Sequence, residues 1–407
     1  MGGKFKDVGA FPGSPKWETS ISRLVNLYDR VDEIRSQFIR DYNRILHCTA
    51  YRRLKHKTQV FFAPENDHVC TRIEHVSHVA SVSYTIATEL GLNTELTSAI
   101  SIGHDLGHAP FGHEGEKIIK GLGEGVLKDL FWHERNSLWF VDQIETLPDP
   151  HGNEANLNLT YAVRDGIVCH CGEVNENAIN PRNDFIDISF IDRPNQFSPY
   201  TWEGCVVKIA DKISYLGRDI EDAISLKILE RHQIRELSKI IKTLTKIDIR
   251  EVNNTILMHH FILNLCKNSE PDKGICFSRE YLEFMNLIKD FNYKNIYHHK
   301  RLNYYKRYAK VVIESIYEFL YSLYAGEKTY SYITAMTSRH PIIVATFVEW
   351  LVKYSNANND ERVLRKYKNT VVYDLRNETQ FVRSILDFIS GMSDQFAVKC
   401  FYDLMRF

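Results

Sequence analysis

The chain has 407 residues, 44% of them hydrophobic and 25% charged, with a formal net charge of −1. That balance excludes a disordered or collagen-like chain, and it lacks the basic excess of a dedicated nucleic-acid-binding domain. Gly and Pro number only 20 and 11, where average usage gives about 49 together, so long helices and few tight turns are expected.

In chain order, residues 1–20 hold four Gly and two Pro and read as a mobile arm. The Met-Gly-Gly start resembles a myristoylation site only superficially, and no signal-peptide core follows. From Ile21 to about Ala63 the pattern is helical, with Ile34, Phe38, Ile45 and Leu46 as its apolar positions. Ile73–Leu90 repeats apolar residues at i, i+3, i+4 and predicts a core-facing helix, ended by Gly91. Asn93-Thr94-Glu95 opens the next helix, which runs towards Gly103-His104-Asp105. Gly107–Gly115 breaks the periodicity and reads as a loop carrying His108 and His113. Helices are expected from Glu114 to Gly121 and around His133–Ile144. Residues 146–158 and 174–200 read as loops, and Trp202–Leu229 as a helix. Gln233–Phe407 alternates helices with short loops, and the strand signals are confined to a short hairpin near Cys276 or Val371–Val372. The expected fold class is all-α: an arm (1–20), a core (21–230) and a C-terminal helical region packed on it (231–407). No stretch approaches 18 consecutive apolar residues, so no membrane partner is expected. The eight scattered Cys read as reduced thiols of a cytoplasmic protein. Cys169-His170-Cys171 has no second Cys pair at finger spacing, which argues against zinc there.

Seven of the 17 His lie between His68 and His133. A helix-borne His75 precedes the doublet His104-Asp105 by about one helix-turn-helix. Such a mixed N/O set suits a divalent first-row metal without choosing among them. Asp211, in an otherwise apolar helix, is the natural fourth ligand, because an unpaired buried Asp is costly. An HD dipeptide alone also arises by chance, and a lone His is usually a surface or hydrogen-bonded residue.

The run Gly103–Glu116 (GHDLGHAPFGHEGE) closely resembles the signature of the HD-domain deoxynucleoside triphosphate triphosphohydrolases, the dGTPase-like family. Tyr51–Phe61 (YRRLKHKTQVF), Thr71–His75 (TRIEH), Leu157–His170, Ala210–Asp219 (ADKISYLGRD) and Gly391–Asp394 (GMSD) resemble family segments in the same order. The resemblance implies that residues 21–230 form an HD-domain core, with His75, His104, Asp105 and Asp211 holding one divalent metal (Mn, Mg, Fe, Co or Ni, with Mn favoured). It implies a catalytic pair His113–Glu116, with His108 and His133 near the triphosphate. Gln59 matches a contact to the sugar 3′-hydroxyl, Arg72 and Lys212 match phosphate contacts, and Tyr215 and Asp219 match sugar-side contacts. After His133 this chain reads Glu-Arg-Asn-Ser where relatives commonly show Asn-x-Gln-Ser, a departure that bears on substrate contacts there.

The implied reaction hydrolyses deoxynucleoside triphosphates (dGTP or several dNTPs) at the α-phosphorus, giving deoxynucleoside and tripolyphosphate. The metal supplies Lewis acidity. His113, oriented by Glu116, protonates the leaving 5′-oxygen. The alternatives are an HD phosphohydrolase acting on nucleoside monophosphates or phosphodiesters, and a nucleotide or single-stranded nucleic-acid-binding regulator. The family further implies a homo-oligomer, hexamer or tetramer. The basic, aromatic runs Arg52–Lys57 and His298–Tyr308 are places for phosphate, subunit or weak single-strand contacts, or plain solvated faces.

Overall fold

The computed structural model describes residues 3–27, 32–62, 66, 68–127, 131–171, 178–245 and 254–406, with no side-chain description for 243–245. Met1 and Gly2 of the expected arm, Ala63, and residues 174–177 of the expected loop lie outside these. Helix α1 (Trp17–Ile21), α2 (Gln37–His47) and α3 (Thr49–Arg53) lead into α4 (Arg72–Leu90) and α5 (Thr94–Gly103). Then come α6 (Gly112–Gly123), α7 (His133–Trp139), α8 (Tyr161–Cys169) and α9 (Trp202–Ser225). The C-terminal part holds α10 (Arg231–Thr245), α11 (Asn254–Asn268), α12 (Arg279–Asn292), α13 (Leu302–Ser322) and α14 (Thr329–Ala335). It ends with α15 (Ile343–Tyr354), α16 (Asn359–Leu364), α17 (Glu378–Ser390) and α18 (Asp394–Leu404). Among the described residues, strands amount to two short antiparallel pairs, β1 (Thr146–Pro148) with β2 (Glu154–Asn156), and β3 (Ala178–Ile179) with β4 (Ile275–Cys276). The fold is all-α, and among the described residues no helix is long and apolar enough to cross a membrane.

Local sequence explains the central helices. Thr71 and Glu74 form a capping box at the start of α4, and Gly91, with φ 79°, ends it in the left-handed region, where glycine carries no Cβ penalty. The Asn93 side chain accepts from the backbone N–H of Glu95 and Leu96 to start α5. One stripe of α4 (Val76, Val79, Ser83, Ile86, Leu90) is buried where α4, α5 and α9 pack together. The Ser101 hydroxyl donates across the α4–α5 contact to Ser83 at 3.1 Å. Each buried aliphatic side chain on this stripe contributes roughly 1.5–3 kcal/mol.

Several expectations are corrected. The N-terminal segment packs on the core instead of hanging free. Phe5 is fully buried with its ring 4.9 Å from that of Trp202. Its N–H donates to Leu90 at 2.8 Å, and Ala10 N–H donates to the buried Glu203 carboxylate at 2.9 Å. One large aromatic seated in the core outweighs the conformational freedom of the Gly and Pro around it. Of the stretch expected to be helical from Ile21, residues 28–31 lie outside the described residues, and α2 begins after Ser36, whose side chain caps it, so that Ile34 precedes the helix and is 96% exposed. The loop 146–158 contains the β1–β2 hairpin. Cys276 pairs with distant Ala178 in place of a local hairpin partner. Val372 donates to Tyr354 at the end of α15 and forms no named strand. The helix expected around His133–Ile144 is present, as α7 followed by a π-helical turn at Phe140–Ile144.

Gly115 lies against the preceding loop so closely that an added Cβ would overlap the Pro110 carbonyl oxygen. Gly115→Ala is therefore expected to destabilise the fold by about 1–3 kcal/mol, read as a lower urea midpoint with unchanged m. An unchanged midpoint would show that the loop is free to shift.

Candidate active site

Because α4, α5 and α9 pack together, His75 on α4, His104-Asp105 just beyond α5, and Asp211 on α9 meet in one place. His75 Nε2 lies 2.9 Å from Asp211 Oδ1 and 4.0 Å from Asp105 Oδ2. His104 Nε2 lies 3.6 Å from Asp105 Oδ1 and 3.8 Å from Asp211 Oδ1. His104 Nδ1 donates to the Ser101 carbonyl at 2.6 Å, so Nε2 keeps its lone pair. That nitrogen is buried without a hydrogen-bond partner. A lone pair stranded beside two carboxylates is unfavourable, and a cation between these donors relieves it. Two imidazoles and two carboxylates fit a first-row divalent ion.

Electrostatics agree with that geometry. Burial pushes the Asp105 carboxyl up, but His108, Arg72 and His104 hold it well below the usual carboxylate range. Burial likewise opposes ionisation of Asp211, and its hydrogen bond with His75 outweighs it and lowers the pKa. Burial lowers and Asp211 raises the pKa of His75, with a net rise.

The histidine loop is held from both sides. Phe111, at φ 64°, donates its N–H to Asp394 Oδ1 at 2.8 Å, and Asp394 Oδ2 accepts from the Thr58 N–H at 3.0 Å and from the Thr58 hydroxyl. The Lys57 ammonium is buried and donates to the carbonyls of His108 and Ser390. Burial depresses its pKa well below the ordinary lysine value. On the α7 side, Gly107 N–H donates to Ser137 Oγ at 2.9 Å, and Asn136 donates to the Gly107 carbonyl at 2.7 Å.

Within this frame His108 is buried, with Nε2 3.2 Å from Asp105 Oδ1. Its ring stacks on His133 at 3.8 Å. Burial, then Arg72 and His133, hold its pKa well below the ordinary value. The His113 side chain is 72% exposed and its Nδ1 is 3.5 Å from Glu116 Oε2. The same carboxylate oxygen lies closer, 3.0 Å, to His133 Nδ1. Burial opposes the charge on Glu116, but His133 and His113 keep its carboxyl well below the usual range. Burial would lower the pKa of His133, whereas Glu134 and Glu116 raise it to about 10.

The remaining expected residues divide. Arg72 is buried in the site, with Nη1 2.6 Å from Asp105 Oδ2, while Nε and Nη2 are buried without partners. Gln59 sits beside the loop, its backbone carbonyl against Gly112 and its Oε1 buried without a partner. Asp219 is buried; Oδ2 accepts from the Tyr297 hydroxyl at 2.5 Å and Oδ1 has no partner. Burial pushes its carboxyl up to about 7. Lys212 and Tyr215 instead line a cavity between α9 and α12 with Ile179, Phe277 and Met285, whose walls hold none of the histidines.

Sequence reasoning missed His170, Lys57, Asp394, Tyr297 and Tyr305. His170 caps α8 with its ring 4.9 Å from that of His104. Its neighbours Cys169 and Cys171 point elsewhere, Cys169 towards Asp165 and Cys171 towards the Asn195 N–H. Burial pushes both thiols up, Cys171 to about 12, which disfavours the thiolates that zinc needs. The Arg52–Lys57 run is no uniform solvated face, since Lys57 is buried. In the second run Tyr305 stacks on Phe62 at 5.5 Å, whereas Tyr304 is 78% exposed. The signals that could have found His170, Lys57 and Asp394 were the segments LNLTYAVRDGIVCH, YRRLKHKTQVF and GMSD, whose individual side chains carried no spacing of their own, while Tyr305 lay in the run His298–Tyr308 and Tyr297 just before it.

Comparison with known proteins agrees with this geometry. The sequence model of the HD domain family matches residues 72–216. A deoxyguanosinetriphosphate triphosphohydrolase-like protein of Caldanaerobacter subterraneus subsp. tengcongensis is 33% identical over 329 residues, 76% of this chain and 84% of the relative. A protein of the same description from Rickettsia bellii is 30% identical over 384 residues, covering 90% of both chains. One from Bartonella quintana is 27% identical over 413 residues, 94% of this chain and 92% of the relative. With its helical fold, its clustered His and Asp residues and relatives matched over most of their length, the chain belongs to the HD-domain dGTPase-like family.

Proposed function

We propose that the protein is a metal-dependent deoxynucleoside triphosphate triphosphohydrolase, cleaving dGTP or several dNTPs to deoxynucleoside and tripolyphosphate. One observation carries the reading. The buried donor set around the unpartnered His104 Nε2 adjoins both the unpartnered guanidinium nitrogens of Arg72 and the His108–His133–Glu116–His113 array. The relatives' descriptions support the substrate class.

His75, His104, Asp105 and Asp211 would hold one divalent ion, with Mn favoured, which supplies Lewis acidity at the phosphate when bound. Arg72 is held by Asp105, and its two spare N–H groups would bind phosphate oxygens. In a desolvated site such a contact is worth a few kcal/mol. His108 and the His133 ring stacked on it orient the triphosphate. His113, at the exposed mouth, holds a proton for the departing 5′-oxygen, and anionic Glu116 aims its ring. The Gln59 Oε1 and Asp219 Oδ1 atoms have capacity to accept from sugar hydroxyls. Tyr215 lies one turn along α9 from each of Asp211 and Asp219, in the wall of the α9–α12 cavity. Lys212 must swing out of the α9–α12 cavity to reach phosphate.

The test is product analysis with the purified protein, each dNTP in turn and Mn²⁺ or Mg²⁺. Equimolar deoxynucleoside and tripolyphosphate are expected. Pyrophosphate with a nucleoside monophosphate, or turnover of phosphodiesters alone, would replace this reading.

A further inference from the structure

Lys57 and Thr58 stand where three helices and the histidine loop meet. The Lys57 carbonyl accepts from the Arg72 N–H at 3.1 Å, at the start of α4, the helix that carries His75. The buried Lys57 ammonium donates at 3.0 Å to the carbonyl of Ser390, the last residue of α17, and also to the carbonyl of His108. Thr58 N–H donates to Asp394 Oδ2 at 3.0 Å, and Asp394 Oδ1 accepts from the Phe111 N–H at 2.8 Å. One charged side chain thus grips the loop at residue 108 and another at residue 111. Both are anchored to the α17–α18 junction.

Neither side chain serves its own segment. An acidic residue in the first turn of a helix usually interacts with that helix's own N–H groups. In α18 the cap is Ser393, whose side chain accepts from the Phe396 N–H, so Asp394 spends both oxygens on backbone outside the helix. A buried ammonium is costly, and an apolar side chain of similar volume would fill the space without that cost. What the ammonium adds is a tie between two carbonyls, which no apolar group can make.

The tied backbone is the least regular part of the site. Phe111 and Gly112 are consecutive left-handed residues, with φ 64° and 61°. A bulky residue keeps that conformation only where its surroundings over-determine it. Here the buried Phe111 ring packs against that of Phe62 at 5.8 Å, and its N–H is held by Asp394. Helix α6 starts at Gly112, and Phe111 before it offers no side-chain cap. These two residues therefore set the direction in which α6 leaves the loop. With it they set the places of His113 and Glu116.

We propose that Lys57 and Asp394 are positioning residues, which clamp the backbone of residues 108–111 and so fix where His108 and His113 stand relative to His75, His104, Asp105 and Asp211. That these histidines act on a nucleotide rests on the function proposed above; the clamp itself does not.

The experiment reads the histidines directly. The full chain, free of metal and nucleotide, is labelled with ¹³C at histidine Cε1, and its resonances are assigned by single-histidine substitution. Asparagine at 394 has one oxygen for two backbone N–H groups and must abandon one. D394N and K57M are each expected to move the His108 and His113 resonances and to leave those of His75 and His104 in place. Each should lower kcat for dNTP hydrolysis by about 10²-fold, the scale of a misplacement near 1 Å. The double variant should be no worse than the poorer single one, because both release one loop. If K57M folds poorly, D394N with wild-type circular dichroism carries the test alone. A folded D394N with a lower urea midpoint but unmoved His108 and His113 resonances makes the contact a brace of the fold and overturns the positioning role. Equal movement at all four histidines, or losses that multiply in the double variant, also overturns it. Selective movement in a chain that hydrolyses no dNTP sustains the clamp and overturns the hydrolase reading.

Discussion

Asp211→Asn is expected to abolish high-affinity binding of the proposed divalent ion and to lower kcat/KM for dNTP hydrolysis by at least about 10³-fold, roughly 4 kcal/mol of transition-state stabilisation. The residue is chosen because its Oδ1 is shared, lying 2.9 Å from His75 Nε2 and 3.8 Å from His104 Nε2. Asparagine keeps an oxygen for the His75 contact, so the helix packing should survive. What it removes is the negative charge. The side chain is 24% exposed, and His75, which loses its anionic partner, can meet the asparagine as a neutral imidazole. The metal-free variant should therefore melt within about 1 kcal/mol of the metal-free wild type, and added Mn²⁺ should raise the melting temperature less than it does in the wild type. Retained metal affinity together with full turnover would remove Asp211 from the ligand set.

His113→Ala is expected to reduce kcat by about 10²–10⁴-fold, the usual range for loss of a general acid, with little change in KM. His113 is largely exposed and its side-chain ion pair is with Glu116, so truncation should leave stability near the wild-type value. Glu116→Gln should have a smaller effect on kcat, because the imidazole remains. It should also disturb His133, which is nearer to the same carboxylate. A second substrate separates proton donation from mere positioning. A p-nitrophenyl phosphodiester expels a phenolate that needs no protonation, so the His113→Ala deficit should shrink towards unity with it. An equal deficit on both substrates would assign His113 a structural role.

Much of the site was legible because its signals are local. Thr71 and Glu74, Asn93, and the glycines that bracket His108 and His113 act within a turn or two of where they stand. The clustering of His75, His104, Asp105 and Asp211 was legible through motif resemblance on top of such local marks. His170 was hidden because its only local context was two cysteines, and those thiols turn out to be buried away from it. Lys212 and Tyr215 matched a motif, yet a helix carries neighbours around its circumference. Asp211 faces the histidines, and these two face the α12 side.

The sequence by itself determined an all-α chain, the start and stop of its central helices, and the residue types gathered around His104-Asp105. The helices follow from capping, periodicity and breaker placement, which are short-range, and the residue types from motif resemblance. Only the tertiary structure decided that Phe5 anchors the N-terminal segment and that Lys57 is buried beneath the histidine loop. It also decided that Asp394 fixes Phe111 from 283 residues away and that Glu134 faces His133 and His170. Each is a partnership between a buried polar or aromatic group and a surface made elsewhere in the chain. The demand to satisfy that group is written in its side chain, but the partner exists only once the helices have packed.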